Sequence, residues 1–256
     1  MRASIYDMSP YSHLAMTGRN ISVGIIGVSD GAYIQPEERV DKLISNDIEL
    51  LGLYHYMRSE KTLEEQIEAF DKAIDPYTWS FLAADFEKFH NLDNGGKFGL
   101  MTRDFMAWFK DKYKKPVLLY SRSGVIQEWI VNHGQGWWKD EDLWIAQWPY
   151  DEVRYGPQRA KLLDVPTNTV KWNPRLPAGA TGWKVWQYSA DGNKRASEFG
   201  ASGNSNLDLN VFNGTMEEMK EWCKGPEVPV PPTPPDCSEV REQTINECIK
   251  ALEEIK

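Results

Sequence analysis

The run Phe81-Leu82-Ala83-Ala84-Asp85-Phe86-Glu87 decides how the rest of this chain is read. An apolar stretch of this length bounded by polar residues is expected to be a buried strand. Side chains alternate along a strand, so Asp85 and Glu87 share one face while Phe86 points away. At a rise of about 3.3 Å per residue, their backbones stand roughly 6.6 Å apart. Two carboxylates side by side at the end of a buried strand push their pKa values apart, leaving one proton donor and one anion at the same pH. An isolated D-x-E is more often a solvated strand end, so its surroundings must decide.

Working outward, strand and helix signals alternate from the start of the chain to Cys223. Ser4–Asp7 and Val23–Ser29 read as strands, Glu37–Ile44 as a helix and Leu50–Tyr56 as the next strand. Thr62 and Glu65 form a capping box ahead of the stripe Leu63, Ile67, Phe70, Ile74. After the Asp85/Glu87 strand come a helix through Phe105, Trp108 and Phe109, a strand Pro116–Tyr120 and a helical segment Val125–Val131. Leu143–Gln147 and Trp183–Tyr188 are the last clear strands, and Thr215 with Glu218 opens a closing helix. This alternation predicts an α/β fold: a parallel sheet of about eight strands closed into a TIM-like (β/α) barrel. From Tyr150 to Leu176 periodicity is weak and prolines recur, so the barrel is expected to be irregular, with weakened helices in its second half.

The polar residues then fall into a pattern. Asp7, Tyr56, Asp85, Glu87, Tyr120, Gln147, Trp148, Gln187 and Tyr188 all lie at or just beyond the C-terminal ends of predicted strands. That end of a parallel barrel is where active sites are built, and nine such residues argue for one pocket rich in acids and aromatics. Eleven Trp and eleven Tyr supply flat apolar faces with a polar handle, which suit sugar rings as well as cores.

Composition narrows the partners. The 256 residues carry a formal charge of -9, which argues against nucleic acid and against an anionic membrane surface. No apolar stretch approaches the ~20 residues of a membrane span, and the opening Met1–Asp7 lacks the apolar region of a secretory signal. Residence in the cytoplasm of the producing cell is therefore expected. Cys223, Cys237 and Cys248 have no metal or disulfide spacing, and His13, His55, His90 and His133 are scattered, so neither a metal nor a cofactor is expected.

The expected domain plan is a catalytic barrel over 1–224, a proline-rich linker over 225–235 and a helical segment over 236–256. Six prolines in the linker favour a semi-rigid spacer. The stripe Ile245, Cys248, Leu252, Ile255 is too short to be stable alone, which makes this segment a candidate for self-association or for the start of a further module.

The ordered motifs resemble glycoside hydrolase family 25, the N-acetylmuramidase lysozymes that include phage endolysins. Tyr6-Asp-Met-Ser9, Gly52-Leu-Tyr-His-Tyr56, Asp85-Phe-Glu87, Pro116-Val-Leu-Leu-Tyr120 and Leu143-Trp-Ile-Ala-Gln147, with the ending Trp186-Gln-Tyr-Ser189 then Leu207-Asp-Leu-Asn210, match its motifs in order. Two departures stand out: Gly27-Val-Ser-Asp-Gly31 replaces a Lys-Ala-Thr-Glu-Gly-like run, and Trp148 stands where Tyr is usual. The resemblance implies hydrolysis of the β-1,4 bond between N-acetylmuramic acid and N-acetylglucosamine in bacterial peptidoglycan, after release from the producing cell. It makes Glu87 the general acid and Asp85 an ionised stabiliser of the cationic intermediate, with Asp7 and Asp208 flanking them. Tyr54, Tyr56, Tyr120, Trp148, Gln187 and Tyr188 would bind the sugar. A spacing near 6.6 Å falls between the retaining and inverting classes, which favours assistance by the substrate's 2-acetamido group. Two rivals are a non-catalytic glycan-binding barrel, which would not need the acids, and a chitinase-like hydrolase of another barrel family.

Overall fold

The computed structural model describes residues 2–8, 15–16, 22–44, 48–87, 95–148, 173–190, 201–202 and 208–226. Its strands are β1 (Ser4–Met8), β2 (Ala15–Met16), β3 (Val23–Asp30), β4 (Tyr33–Ile34), β5 (Leu50–Tyr56), β6 (Phe81–Asp85), β7 (Val117–Ser121), β8 (Asp142–Ala146), β9 (Val185–Ser189), β10 (Ala201–Ser202) and β11 (Asp208–Phe212). The helices are α1 (Glu37–Ile44), α2 (Leu63–Ile74), α3 (Gly95–Tyr113), α4 (Ser123–Trp129) and α5 (Met216–Cys223). Strands β1, β3, β5, β6, β7, β8, β9 and β11 run side by side in that order, and β11 returns to β1, so the sheet closes into a barrel. β4 folds back on β3 as a short hairpin, and β2 pairs with β10 in a separate two-stranded sheet.

Alternation along the strands sorts the apolar residues into two cores. Ile5, Val23, Ile25, Leu50, Phe81, Ala83, Leu118, Trp144, Val185 and Phe212 fill the barrel interior. Their neighbours Ile26, Leu51, Leu53, Leu82, Ala84, Leu119, Ile145, Trp186, Leu209 and Val211 pack outward, where Phe70, Phe105 and Phe109 of the helices meet them. Strands covered on both faces need apolar residues at almost every position, which is why β3 and β7 read as continuous runs. The interior is filled by rings set against glycines: a Cβ on Gly52 would lie 2.4 Å from Phe81, and one on Gly27 2.5 Å from Tyr54. Helix α5, opened by the Thr215/Glu218 capping box, closes the base with Met219 and Cys223.

The sequence reading placed the helices, the capping boxes and seven of the barrel strands, but not β11. β11 is antiparallel to both β9 and β1, and so departs from the all-parallel barrel expected. Antiparallel neighbours need no crossover helix, which suits a final stretch with no helical signal of its own. Its inner face carries Asp208 and Asn210, which spoiled the apolar pattern a strand search looks for. Of the stretch with weak periodicity, only 173–176 lie among the described residues, and 173–184 contain no helix. The proline-rich linker, Cys237, Cys248 and the Ile245–Ile255 stripe lie outside the described residues. No described helix is long and apolar enough to cross a membrane.

Candidate active site

The register brings the acids to one rim. Asp7 lies opposite Asp208 across the β1–β11 ladder, and Asp85 lies between Tyr56 and Tyr120 on the neighbouring strands. Because β11 runs the other way, it delivers Asp208 from its N-terminal end to the rim where the parallel strands deliver their C-terminal residues. Strand β6 ends at Asp85, yet the alternation continues: Phe86 turns outward against Phe98 and Trp129, which leaves Glu87 on the side of Asp85. Asp7 and Asp85 are buried, and Glu87 is half-buried.

A single amide ties this cluster together. Gln187 Nε2 donates to Asp7 Oδ2 at 3.0 Å and to Asp208 Oδ2 at 3.3 Å. Its Oε1 accepts from Tyr120 Oη at 3.1 Å and from Trp148 Nε1 at 2.7 Å. Every polar atom of the amide is thereby used, which settles its orientation. Below it Tyr120 and Tyr54 pack edge-on against Trp144, whose Nε1 donates to Asn210. The acids therefore sit on an aromatic floor that withholds water. Asp85 Oδ1 and Asp208 Oδ1 are buried and accept no hydrogen bond, although unpaired buried polar atoms are rare and costly.

Desolvation raises every one of these carboxyls. Asp85 stands well above the ordinary carboxylate range, through burial and then through Glu87, Asp7, Asp30 and Asp208. Asp7 is raised in the same way, by burial and Asp208, against the donation from Gln187. Burial and Glu87 push Asp208 up to about 7. Glu87 rises as well by burial, but the Arg122 charge and a hydrogen bond from Tyr120 hold it back. The sequence reading expected the larger rise on Glu87 and an ionised Asp85. In the free site both acids are raised, and their neighbours differ: four other acids face Asp85, while the cationic neighbour faces Glu87.

The other sequence candidates divide. Tyr56, Tyr120, Trp148 and Gln187 lie at the acid cluster, and Tyr54 lies under it. Tyr188 does not: it is one residue out of phase with Gln187 and packs against Trp186 in the outer core. Gln147 follows β8 and accepts from the Arg175 backbone N–H. Among the described residues no group of three or more His, Cys, Asp or Glu is placed to hold a metal ion.

A barrel with this acid-lined rim has a counterpart among protein families. The model for glycosyl hydrolases family 25 matches residues 5–196. The chain belongs to this family. Family 25 membership makes it a glycoside hydrolase of the N-acetylmuramidase, or lysozyme, type. The fold agrees. A family 25 glycosyl hydrolase from Bacillus anthracis is 18% identical with a TM-score of 0.60, over 86% of this chain and 92% of that one. The lysozyme of Streptomyces coelicolor is 17% identical with a TM-score of 0.60, over 87% and 97%. The catalytic domain of endolysin ply40, from bacteriophage P40 of Listeria monocytogenes, is 18% identical with a TM-score of 0.57, over 88% and 98%. None of the curated proteins matches the chain.

Two residues of this family 25 site escaped the sequence reading: Arg58 and Arg122. The signal was there, because each follows a strand-ending tyrosine by two residues, as Glu87 follows Asp85. Arg58 forms a two-pronged ion pair with Asp30, one arm at 2.7 Å, and lies 4.8 Å over the Tyr56 ring. Arg122 lies 4.5 Å over the ring of Trp148.

Proposed function

We propose that this enzyme cleaves the β-1,4 bond between N-acetylmuramic acid and N-acetylglucosamine in peptidoglycan, with Glu87 as general acid and the substrate's acetamido group as nucleophile. The observation that carries the proposal is the pair of buried, unpaired oxygens Asp85 Oδ1 and Asp208 Oδ1, which await hydrogen-bond donors from a ligand. An acetamido N–H is such a donor. Accepting it favours the Asp85 anion, while exclusion of water by the sugar raises Glu87 further. The proton held by the cluster thus shifts to Glu87 as substrate binds. Tyr120 follows: its hydroxyl has one proton and two acceptors, Gln187 and Glu87, and turns according to the charge of Glu87.

In the first step Glu87 protonates the glycosidic oxygen, the C1–O bond breaks, and the acetamido oxygen closes on C1. Asp85 stabilises the positive charge that results. In the second step the Glu87 carboxylate takes a proton from water, which attacks C1 as the bond from C1 to the acetamido oxygen breaks, and the acetamido group and the configuration are restored. Asp7 and Asp208, held by Gln187, position the ring. A fold relative, the Cpl-1 endolysin, was crystallised with a peptidoglycan analogue as a glutamate-to-glutamine variant, at 17% identity and a TM-score of 0.51. Its substrate supports the same class here. The place of action is the bacterial cell wall, as for the endolysins.

The test is product analysis on purified peptidoglycan beside chitin oligomers. New reducing ends on muramic acid with retained anomeric configuration are expected. Ends on glucosamine alone, or an inverted anomer, would sink the assignment.

A further inference from the structure

Three adjacent strands, β5, β6 and β7, each continue their inner face by two residues: Tyr56 to Arg58, Asp85 to Glu87, and Tyr120 to Arg122. The strands on either side of the one that leads to Glu87 thus each lead to an arginine laid on an aromatic ring, at 4.8 Å on Tyr56 and 4.5 Å on Trp148. The two differ in one respect. Arg58 is neutralised by Asp30, whereas among the described residues no carboxylate lies within ion-pair distance of Arg122. Arg122 is exposed, and its charge reaches Glu87 without pairing with it. Arg175 adds to the same edge. Its backbone is tied to Ser123 Oγ on one side and Gln147 Oε1 on the other, and it too is exposed with no carboxylate partner among the described residues.

A chain of charge -9 with four acids in its cleft repels anions, and two guanidiniums with no carboxylate partner among the described residues reverse that field locally at one edge. Stacking on Trp148 holds the Arg122 guanidinium in place and leaves its donors free for a planar anion. Muramic acid differs from glucosamine by a 3-O-lactyl arm that ends in a carboxyl, free or amide-linked to a peptide bearing further carboxylates. We propose that Arg122, assisted by Arg175, binds a carboxylate carried on this arm and so sets the orientation of the glycan over the acids. This rests on the functional reading above and names the substituent that its site recognises.

The test uses the full chain and soluble glycan strands in four forms: peptide-free with the lactyl carboxylate, peptide-free with that group converted to its methylamide, stem-bearing, and stem-bearing with its carboxylates methylamidated. At low salt kcat/KM should favour the carboxylate form by about three- to tenfold in at least one pair, the range for a charge-assisted contact at a half-open surface. The preference should shrink at high ionic strength. Whichever pair shows it identifies the source as the lactyl group or the peptide. Arg122→Gln should bring the ratio towards one, chiefly through KM, and Arg122→Lys should keep part of it. Equal wild-type rates within both pairs would overturn the proposal. So would an Arg122→Gln loss in kcat that is the same on both forms, because that marks a residue acting only through Trp148. Binding of the same strands to Glu87→Gln, read by calorimetry, makes the comparison without turnover. Absence of hydrolysis by the wild type would then fall on the functional reading alone.

Discussion

Two buried polar clusters lie on opposite faces of strand β5, and they are built on opposite terms. On the outer face His55 is fully buried, with Nδ1 2.7 Å from Ser29 Oγ and Nε2 3.2 Å from Gln66 Oε1. Gln66 Oε1 also accepts the Arg58 N–H at 2.7 Å, and the imidazole stacks on Phe105. On the inner face Asp7 and Asp208 share one amide, and Asp85 and Asp208 each leave a buried oxygen unpaired. A serine and a histidine at 2.7 Å look like a nucleophile and its base, but this pair is sealed between strand and helices, satisfied and inert. The unsatisfied cluster is the one that can act. Burial is common to both; completeness of hydrogen bonding separates structure from chemistry.

The sharpest way to break the contrast is Glu87→Gln. Glutamine keeps the shape but carries no transferable proton, so hydrolysis should fall about 10²–10⁴-fold with the melting temperature unchanged or raised. Reducing-end release and a thermal melt on the same sample decide it. A variant that keeps a third of wild-type turnover removes Glu87 from the role.

Asp85→Asn should also cut turnover, and with substrate bound it removes the anionic neighbour of Glu87, whose pKa in the complex then falls. The alkaline limb of the kcat profile, which reports the substrate complex, moves to lower pH. A limb that stays put while activity remains measurable would show that the two acids do not communicate.

On the other face, His55→Ala should cost about 2–4 kcal/mol of stability, through lost packing and two stranded partners, with little change in activity per folded molecule. Its pH signature has a definite sign. Burial lowers the folded pKa of His55 to about 4. The unfolded chain therefore binds the extra proton first, and the stability gained from a neutral His55 is present above pH ~6.5 and lost as pH falls towards 4. Denaturant titrations should show this loss, on the order of 3 kcal/mol, in wild type and not in His55→Ala.

The acids have the opposite sign. Their folded pKa values are raised, so their stabilising protons are present below the unfolded value near 4 and are lost as pH rises, for Asp208 through about 7. Asp208→Asn should accordingly raise stability at pH 8 by about 1–2 kcal/mol and lower activity, as expected where function is held at a cost in stability. Destabilisation at pH 8 would mean that Asp208 is a structural acid after all.

The smallest effect concerns the boundary. Residues Met1–Pro226 form one compact unit, so a chain ending at Pro226 should hydrolyse soluble glycan fragments at the wild-type rate, and whole cells no faster. Loss of activity on the soluble fragments would place the remaining segment inside the catalytic unit.

Much of this protein is written locally. The near-continuous apolar runs Val23–Ser29 and Leu50–Tyr56, and the capping boxes at Thr62 and Thr215, specify strands and helices by short-range sterics and hydrogen bonds. The D-x-E at Asp85 and Glu87 is local as well, because a two-residue period puts both on one face whatever the strand packs against. Other features exist only once the barrel closes. Asp208 reaches the rim because β11 runs antiparallel, and nothing within Leu207–Asn210 states a direction. Gln187 and Tyr188 look alike at a strand end, and only the phase of β9 in the closed sheet sends one inward and the other outward. The electrostatic surroundings of the two acids were likewise out of reach. They consist of Asp7, Asp30 and Asp208 facing Asp85 across the barrel while Arg122 faces Glu87, and these residues lie up to about 120 positions away in the chain. Secondary structure follows from neighbours in sequence, but charge acts through space, and the space is set by the fold.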